Sequence, residues 1–499
     1  GDGGAPRYEL WIGGAADPAA LEREVAAAAA AVPGLSAAPV PSGTPYVLLR
    51  MDRAGGAALA GGVRHAAIGG GLKLTAAPAD AGGAVGVAER SGRRYRGAID
   101  LFAHNGALAV VNRVDLEDYV ASVVGSELDA AWPAEALKAQ AVAARTYVLK
   151  QGWKYGVAHV TDTTLDQAYR GVEREFPAAV EAARATAGER LVLAGGTLAD
   201  AFYHSNAGGA TADPLEVWGR EIPGIVSVPS PDDAPERGRL SWYRVALADG
   251  RVGYVRSDLA ELTGAANKAG FPLARITADN VNVRPAPYVN DETNAAFAQL
   301  ARGTVVTVIG TEPESTAYRW IRGPYTAQQV RLMMNASGVA GAAAAAAGGL
   351  RSLEVTSRGA ASGRVTGMAA DGKELQLDRP DQYRALFGLP SGRFDVEQTA
   401  RAEVLGAGGQ RRTVQGSEPL AAVGAGGART QISSGAYLVA GADGAVRVAT
   451  IEPGYRFLGY GFGHGLGMSQ WGAYRLAEEG YDYRYILLYY FPNASIVKE

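Results

Sequence analysis

Apolar positions along this chain change period several times, and each change marks a predicted element. Leu116, Tyr119, Val120, Val123 and Val124 recur at i, i+3, i+4, i+7 and i+8, a single helical stripe for which Asp115 is the expected N-cap. Gly125-Ser126 predicts the end of that helix, which leaves Glu127 at or just past a helix terminus. Trp132-Pro133 then opens a second, alanine-rich helix, with proline where its missing N–H costs nothing. Upstream, Tyr8 to Ile12 alternates like a strand, Asp17-Pro18 starts a helix running through Ala31, Pro33-Gly34 stops it, and Tyr46 to Arg50 is again strand-like. The last third returns to strand patterns at 353–355, 364–365, 374–377 and 430–450, after a Gly/Ala stretch at 336–349 expected to be a connector.

Between these regions, residues 226–317 form a separate strand-rich interval. Trp242 to Val245 with Gly250 to Val255 resembles the second half of a bacterial SH3-like barrel, and Asn280 to Arg284 with Gly303 to Val308 resembles the first half. The order of halves leaves open one permuted module, two partial ones or a compact pair, serving wall or partner binding or structure alone. The expected fold class is α+β: a β-rich body of several subdomains with one prominent helix pair around a cleft, plus the inserted β region. Three parts are expected: an N-terminal α/β module at 1–94, a discontinuous body at 95–225 and 318–499, and the insertion at 226–317. The N-terminal module either touches glycan or supports the rest.

Composition narrows the chemistry. The 499 residues carry 48 basic and 51 acidic side chains, a formal charge of −3, so no global basic surface argues for nucleic acid. Cysteine is absent, which removes disulfides, thiolate nucleophiles and cysteine-based metal sites. No stretch reaches the roughly 18 strongly apolar residues of a membrane helix, and the alanine blocks at 26–31 and 342–347 are too short and weakly apolar, so the chain is expected to be soluble as given. It begins at Gly1-Asp2 without an initiator methionine, so a signal segment or anchor is expected to lie outside it.

Two stretches far apart carry the most chemistry. In Gly463-His464-Gly465-Leu466-Gly467-Met468-Ser469-Gln470-Trp471-Gly472-Ala473, alternating glycines permit positive φ and close backbone approach around a histidine. Glu127 and Trp132-Pro133-Ala134-Glu135-Ala136-Leu137-Lys138-Ala139-Gln140-Ala141 form the other. Asp162-Thr163-Thr164, Gln167, Tyr169 and Ala201-Phe202-Tyr203-His204-Ser205 lie between them. Together these pieces resemble the stage II sporulation protein D and amidase-enhancer family of bacterial cell-wall proteins, over roughly residues 95–225 and 318–499.

The resemblance implies lytic transglycosylation of peptidoglycan, and its catalytic acid falls on Glu127. By itself a glutamate after a helix is a solvated surface residue; beside Trp132 it is expected to be partly desolvated and so protonated near neutral pH. Glu135, on the first turn of a helix, is expected to complement the helix dipole. Substrate contacts are expected from Lys138, Gln140, Arg145, Gln167, Tyr169, His204, Ser205, His464, Gln470 and Trp471. Lys138 and Arg145 share a helix face that is either cleft wall or solvated surface, and Trp471 is either a sugar-stacking ring or a core anchor. Some family members hold zinc through cysteines after the Tyr-His-Ser segment; Ala207 and Ala212 stand at those positions, so no metal and no cofactor are expected. Phe491-Pro492-Asn493 stands where the family usually has Tyr-Pro-Gly, and asparagine tolerates the left-handed conformation such a turn needs. The implied partners are peptidoglycan strands and, in the alternative of a non-catalytic wall-binding protein, an amidase that it stimulates. Both imply an extracytoplasmic location.

Overall fold

The structure is a computed structural model that describes residues 73–80, 82–105, 107–268, 270–339, 350–399 and 454–498 in full. For a few helical positions between 19 and 30, and for short strands before residue 70 and between 401 and 450, it describes mainly the backbone. Ala19, Glu22, Arg23, Ala26, Ala27 and Ala30 are helical, as the Asp17-Pro18 start predicts, and Tyr46–Met51 is a strand. The strand expected at Tyr8 to Ile12 and the connector core at 340–349 lie outside the described residues. The fold class is α+β.

Two compact units divide the chain, Gly1–Val114 and Asp115–Glu499. In the first, strands Lys73–Ala76, Ala98–His104 and Ala107–Arg113 form an antiparallel sheet, so this unit extends past residue 94. Buried Asp100 ties that sheet together. Burial works to raise its pKa, but hydrogen bonds from Thr75, Lys73 and Arg113 outweigh it and hold the carboxyl below its ordinary value.

The second unit is built around helices α1 (Leu116–Glu127), α2 (Ala134–Gln151), α3 (Pro177–Ala185), α4 (Gln470–Glu478) and α5 (Tyr483–Tyr490). Alanines let α2 pass through the centre: Ala136, Ala139, Val142 and Ala143 pack with Leu191, Leu466, Met468, Ile486, Leu487 and Tyr490. Such small side chains allow close helix approach on several sides at once. Two pairings then join distant sequence. Glu189–Leu193 runs antiparallel to Ala494–Lys498, and Tyr203-His204 runs parallel to Met468-Ser469. The second pairing brings the Tyr-His-Ser segment against the glycine-rich loop.

The interval at 226–317 supplies strands β1 (Ser241–Ala246), β2 (Val252–Arg256), β3 (Ala260–Ala266), β4 (Pro272–Ile276) and β5 (Val305–Pro313) in one sheet of order β2-β1-β5-β4-β3. Because β1 pairs with β5, the two halves seen in the sequence share one sheet, with Val245, Val255, Ala274, Ile276, Val283 and Val306 in one apolar core. Among the described residues its ladder does not close into a barrel. A further sheet, order β6-β8-β7, comprises β6 (Arg319–Thr326), β7 (Arg393–Gln398) and β8 (Gly454–Tyr460) over a core of Trp320, Phe394, Tyr455 and Phe457. Glu397 on β7 joins the two sheets by accepting from Arg244 at 2.8 Å and Arg456 at 2.7 Å.

Candidate active site

Glu127 is the last residue of α1, one turn-step beyond the end that Gly125-Ser126 predicts. The helix is anchored at its start by Asp115, whose carboxylate accepts from the Glu117 N–H at 2.8 Å. Tyr119, Val120, Val123 and Val124 bury its predicted stripe. Gly125 fixes its other end: a Cβ there would sit 1.8 Å from the Arg174 carbonyl oxygen, so only glycine admits the strand of loop that crosses at this point. Ser122 donates to the Gly171 carbonyl at 3.0 Å, and the Arg170 N–H donates to Ser126 at 3.1 Å. The loop at 152–171 is thereby wrapped over the helix terminus.

That loop delivers a backbone donor to the acid. The Ala168 N–H points at Glu127 Oε1 at 2.8 Å. Its shape is set by Asp166, whose side chain is fully buried and accepts from Lys154 Nζ (2.5 Å), Tyr155 OH (2.8 Å), the Thr161 N–H (2.9 Å), Thr161 Oγ1 (3.0 Å) and Tyr147 OH (3.0 Å). Burial raises the Asp166 pKa, but donation from Lys154, Thr161 and Tyr155 more than offsets it and the net direction is down.

Two neutral side chains complete the shell. Tyr119 OH donates to Gln167 Oε1 at 2.8 Å, Gln167 Nε2 donates to Tyr203 OH at 3.0 Å, and Tyr203 OH donates to Glu127 Oε1 at 3.4 Å. Burial pushes both tyrosines well above their ordinary pKa, so they remain neutral donors. From the far end of the chain, Gln470 Nε2 reaches Glu127 Oε2 at 3.3 Å and Gln140 Oε1 at 3.4 Å. Gln470 opens α4, whose N-cap Ser469 accepts from the Gly472 N–H at 3.2 Å and donates to buried Asp232. The Glu127 carboxyl is raised above its ordinary value, first by burial, with the Ala168, Gln470 and Tyr203 hydrogen bonds and the Arg170 charge pulling back. Its place at a helix C-terminus disfavours the carboxylate further.

The other expected residues divide into four groups. Gln140, Gln167 and Gln470 belong to the shell around Glu127; the Tyr169 ring contacts that of Tyr119 at a tilt of 40°, with centroids 5.0 Å apart. Trp471 packs against Trp132 at 4.8 Å and Tyr318 at 5.7 Å, and its backbone N–H donates to the Ser205 carbonyl at 3.0 Å; Ser205 Oγ donates to Tyr318 OH at 3.4 Å. Trp132 therefore contacts Trp471 and Tyr474 (5.2 Å), while Ala168, Tyr203 and Gln470 surround the acid.

Arg145 and Lys138 are engaged elsewhere. Arg145 is buried and forks onto Glu117 at 2.8 and 2.5 Å, with the Glu189 and Ala183 carbonyls at 3.0 and 3.2 Å. Glu117 lies near the opposite end of α1 from Glu127, about 15 Å away along the helix. Lys138 pairs with Glu135 at 2.6 Å, and Glu135 accepts the Tyr483 N–H at 2.9 Å, pinning α5 to α2. On their shared helix face Arg145 is buried, whereas Lys138 keeps 27% of its side chain exposed.

His204 and His464 form a buried pair with ring centroids 5.6 Å apart. His204 Nδ1 donates to the Leu466 carbonyl at 3.1 Å, whereas His464 Nδ1 accepts the Leu466 N–H at 3.0 Å, so the hydrogen bonds assign opposite tautomers. Both are held neutral: burial drives His204 well below its ordinary pKa and His464 down to about 4. The family's zinc does not fit here. Ala207 and Ala212 offer no ligand atoms, and among the described residues no three His, Cys, Asp or Glu side chains converge. Buried Arg364 donates to the Ala207 and Ala210 carbonyls, each at 3.3 Å, and lies where a Cβ on Gly465 would be 2.0 Å from its Nη2. Burial, then the Arg393 charge, lower its pKa to about 10, so it remains a cation.

Sequence reasoning passed over Tyr203, Asp166, Ala168 and Arg364. Tyr203 and Asp166 sit inside the recognised segments, one residue before His204 and one before Gln167. Ala168 acts through its backbone, which no side-chain pattern announces, and Arg364 lies in a strand region without motif.

Residues 104–193 match the family model described as stage II sporulation protein, SpoIID. The chain is 36% identical over 137 residues to an uncharacterized protein of Brachyspira hyodysenteriae, covering 27% of this chain and 37% of that one. It is 37% identical over 107 residues to the amidase enhancer of Bacillus subtilis (21% and 14% of the two chains), and 31% identical over 140 residues to stage II sporulation protein D of the same organism (25% and 40%). The matches thus span well under half the length of these relatives. The stretch 104–193, which contains Glu127 and the loop that wraps it, is therefore a SpoIID-like region, similar to both the stage II sporulation protein D and the amidase-enhancer relatives.

Proposed function

We propose that the protein is an exported peptidoglycan lytic transglycosylase in which Glu127 serves as both acid and base, with 115–225 and 318–499 as its catalytic body. The observation that carries this reading is a single desolvated carboxyl at a helix C-terminus, hydrogen-bonded by neutral donors from three separate segments. A raised pKa keeps the proton available near neutral pH, as a general acid requires. Glu127 protonates the oxygen bridging N-acetylmuramic acid and N-acetylglucosamine, and the C1–O bond breaks. The resulting carboxylate then accepts the proton of the muramic acid C6 hydroxyl as that oxygen bonds to C1, giving a 1,6-anhydro sugar and regenerating the acid. No water is consumed, so the second carboxylate of a hydrolase has no task. Among the described residues every hydrogen-bond partner of Glu127 is neutral, which accords with that economy.

The amidase-enhancer relative supports a second reading: a wall-binding protein that stimulates an amidase, without cleavage of its own. Either role places the protein outside the cytoplasm at the cell wall; among the described residues no helix is long and apolar enough to cross a membrane. Parent protein and Glu127→Gln are to be incubated with purified glycan strands and the soluble products analysed by mass spectrometry. Anhydro-muropeptides from the parent alone are expected; no sugar release from either protein overturns the transglycosylase reading in favour of the enhancer.

A further inference from the structure

Among the described residues, 152–171 form neither helix nor strand, so no ladder of backbone hydrogen bonds fixes the path of this loop. One side chain takes that task. Asp166 receives Lys154 Nζ and Tyr147 OH on Oδ1, and Tyr155 OH with the Thr161 N–H and hydroxyl on Oδ2. Tyr147 belongs to α2 and the other donors to the loop, so a single carboxylate fastens the loop to the helix it leaves. Asparagine is no substitute, because it has one acceptor oxygen and turns an NH2 group on the remaining donors. Hydrogen bonding to Asp166 raises the Lys154 pKa, and burial followed by the Asp166 charge raises that of Tyr147, so both stay protonated donors.

Two of the three described donors to Glu127 issue from the residues that follow this hub. The Asp166 N–H donates to the Thr163 carbonyl at 3.0 Å and the Tyr169 N–H to the Asp162 carbonyl at 3.3 Å, which closes 162–169 into one turn around Asp166. Ala168, two residues past the hub, donates directly to Glu127 Oε1. Gln167, one residue past it, donates to the Tyr203 hydroxyl that reaches the same oxygen. Gln470 approaches the other oxygen, Oε2, from α4, outside this turn.

We propose that Asp166 is a positioning residue for the candidate acid: its carboxylate holds the Ala168 peptide and the Gln167 side chain where they direct two hydrogen bonds onto Glu127 Oε1. This rests on the reading of Glu127 as the acid and adds the residue that aims it. With Oε1 held by two donors, the carboxyl keeps one orientation from turnover to turnover. Deleting the Asp166 charge by itself makes Glu127 easier to ionise, whereas losing the two donors makes it harder, so the direction of change separates a field effect from a positioning one. The other groups facing Glu127, neutral Tyr119 and Tyr203 and the Arg170 cation, are the same in either case.

The test uses two readouts that need no turnover. The full chain and its Asp166→Asn and Tyr147→Phe variants are compared by amide hydrogen exchange at Ala168 and by a carbon-13 titration of the Glu127 carboxyl, assigned with Glu127→Gln. In Asp166→Asn the Ala168 amide is expected to exchange about tenfold faster while the amides of α2 keep their rates. Glu127 is expected to titrate about one pH unit higher. Tyr147→Phe removes one donor and no charge, so it should move both readouts the same way by less, and it decides alone if Asp166→Asn does not fold. With glycan strands as substrate, kcat should fall about tenfold at unchanged KM. A folded variant whose Ala168 amide keeps its exchange rate, or whose Glu127 titration stays put or moves downward, overturns the proposal and leaves Asp166 a structural residue. If both readouts move as expected while the wild-type protein releases no anhydro sugar, the positioning role stands and the transglycosylase reading fails.

Discussion

Arg145 offers a sharp test of where structure ends and substrate contact begins. Replacement by methionine keeps most of the aliphatic stem but removes the fork to Glu117 at 2.5 and 2.8 Å and the bonds to the Ala183 and Glu189 carbonyls. Breaking a buried ion pair by removing one partner costs roughly 3 to 5 kcal/mol. Here Glu117 is 33% exposed and also accepts the Gly188 N–H at 3.2 Å, so solvent and that bond recover part of the loss. The two carbonyls remain in the interior between α2, α3 and strand Glu189–Leu193. We therefore expect a loss near the low end, about 3 kcal/mol, in urea unfolding followed by tryptophan fluorescence. A double-mutant cycle with Glu117→Gln should return a coupling of about 1 to 2 kcal/mol. Glycan binding by the folded fraction should be unchanged. A stability change under about 1 kcal/mol, together with lost glycan binding, would refute this reasoning and return Arg145 to the substrate.

Gly125→Ala should displace the loop at 170–176 and destabilise the protein by about 1 to 3 kcal/mol, because its Cβ meets the Arg174 carbonyl at 1.8 Å; calorimetric melting checks this. Tyr203→Phe removes a donor that favours the Glu127 carboxylate, so the alkaline limb of the rate against pH should move upward relative to the parent. Glu127→Gln should be more stable than the parent at neutral and alkaline pH, with the advantage fading on acidification. The sign follows from a folded-state pKa above the unfolded one: the native state holds the extra proton, so parental stability falls as pH rises through that window. Melting temperatures from pH 4 to 8 check it. Dialysis of the protein against a chelator should leave its melting temperature unchanged, because the loop at 207–210 is held by the buried Arg364 guanidinium through the Ala207 and Ala210 carbonyls.

Local pattern carried much of the fold. The stripe from Leu116 to Val124, the Asp115 cap and the Pro133 start correspond to α1 and α2, since cap and periodicity are properties of neighbouring residues. The two half-modules of 226–317 were visible as strands, but their union through β1 and β5 depends on a pairing more than 60 residues apart, about which hairpin signals are silent. Arg145 shows the opposite limit: a polar residue on an alanine-rich helix suggests an exposed face, yet alanine is also what lets neighbours bury every face of α2. Arg364 was invisible because a buried cation needs only carbonyl oxygens, and every residue offers one.

The candidate acid illustrates why such a site is assembled from separated segments. A carboxyl at a helix C-terminus, out of water, opposes the stability of its own helix. Local sequence cannot hold it there, since the nearest residues are the ones it strains. The Ala168 N–H arrives on a loop shaped by Asp166, Tyr203 arrives through Gln167 and Tyr119, and Gln470 arrives from a helix capped by Ser469 over Asp232. None of these donors carries a charge, so each orients the carboxyl without forcing it to ionise. An arginine in any one of their places would stabilise the fold more and would hold the carboxyl ionised, removing the proton that the proposed reaction needs.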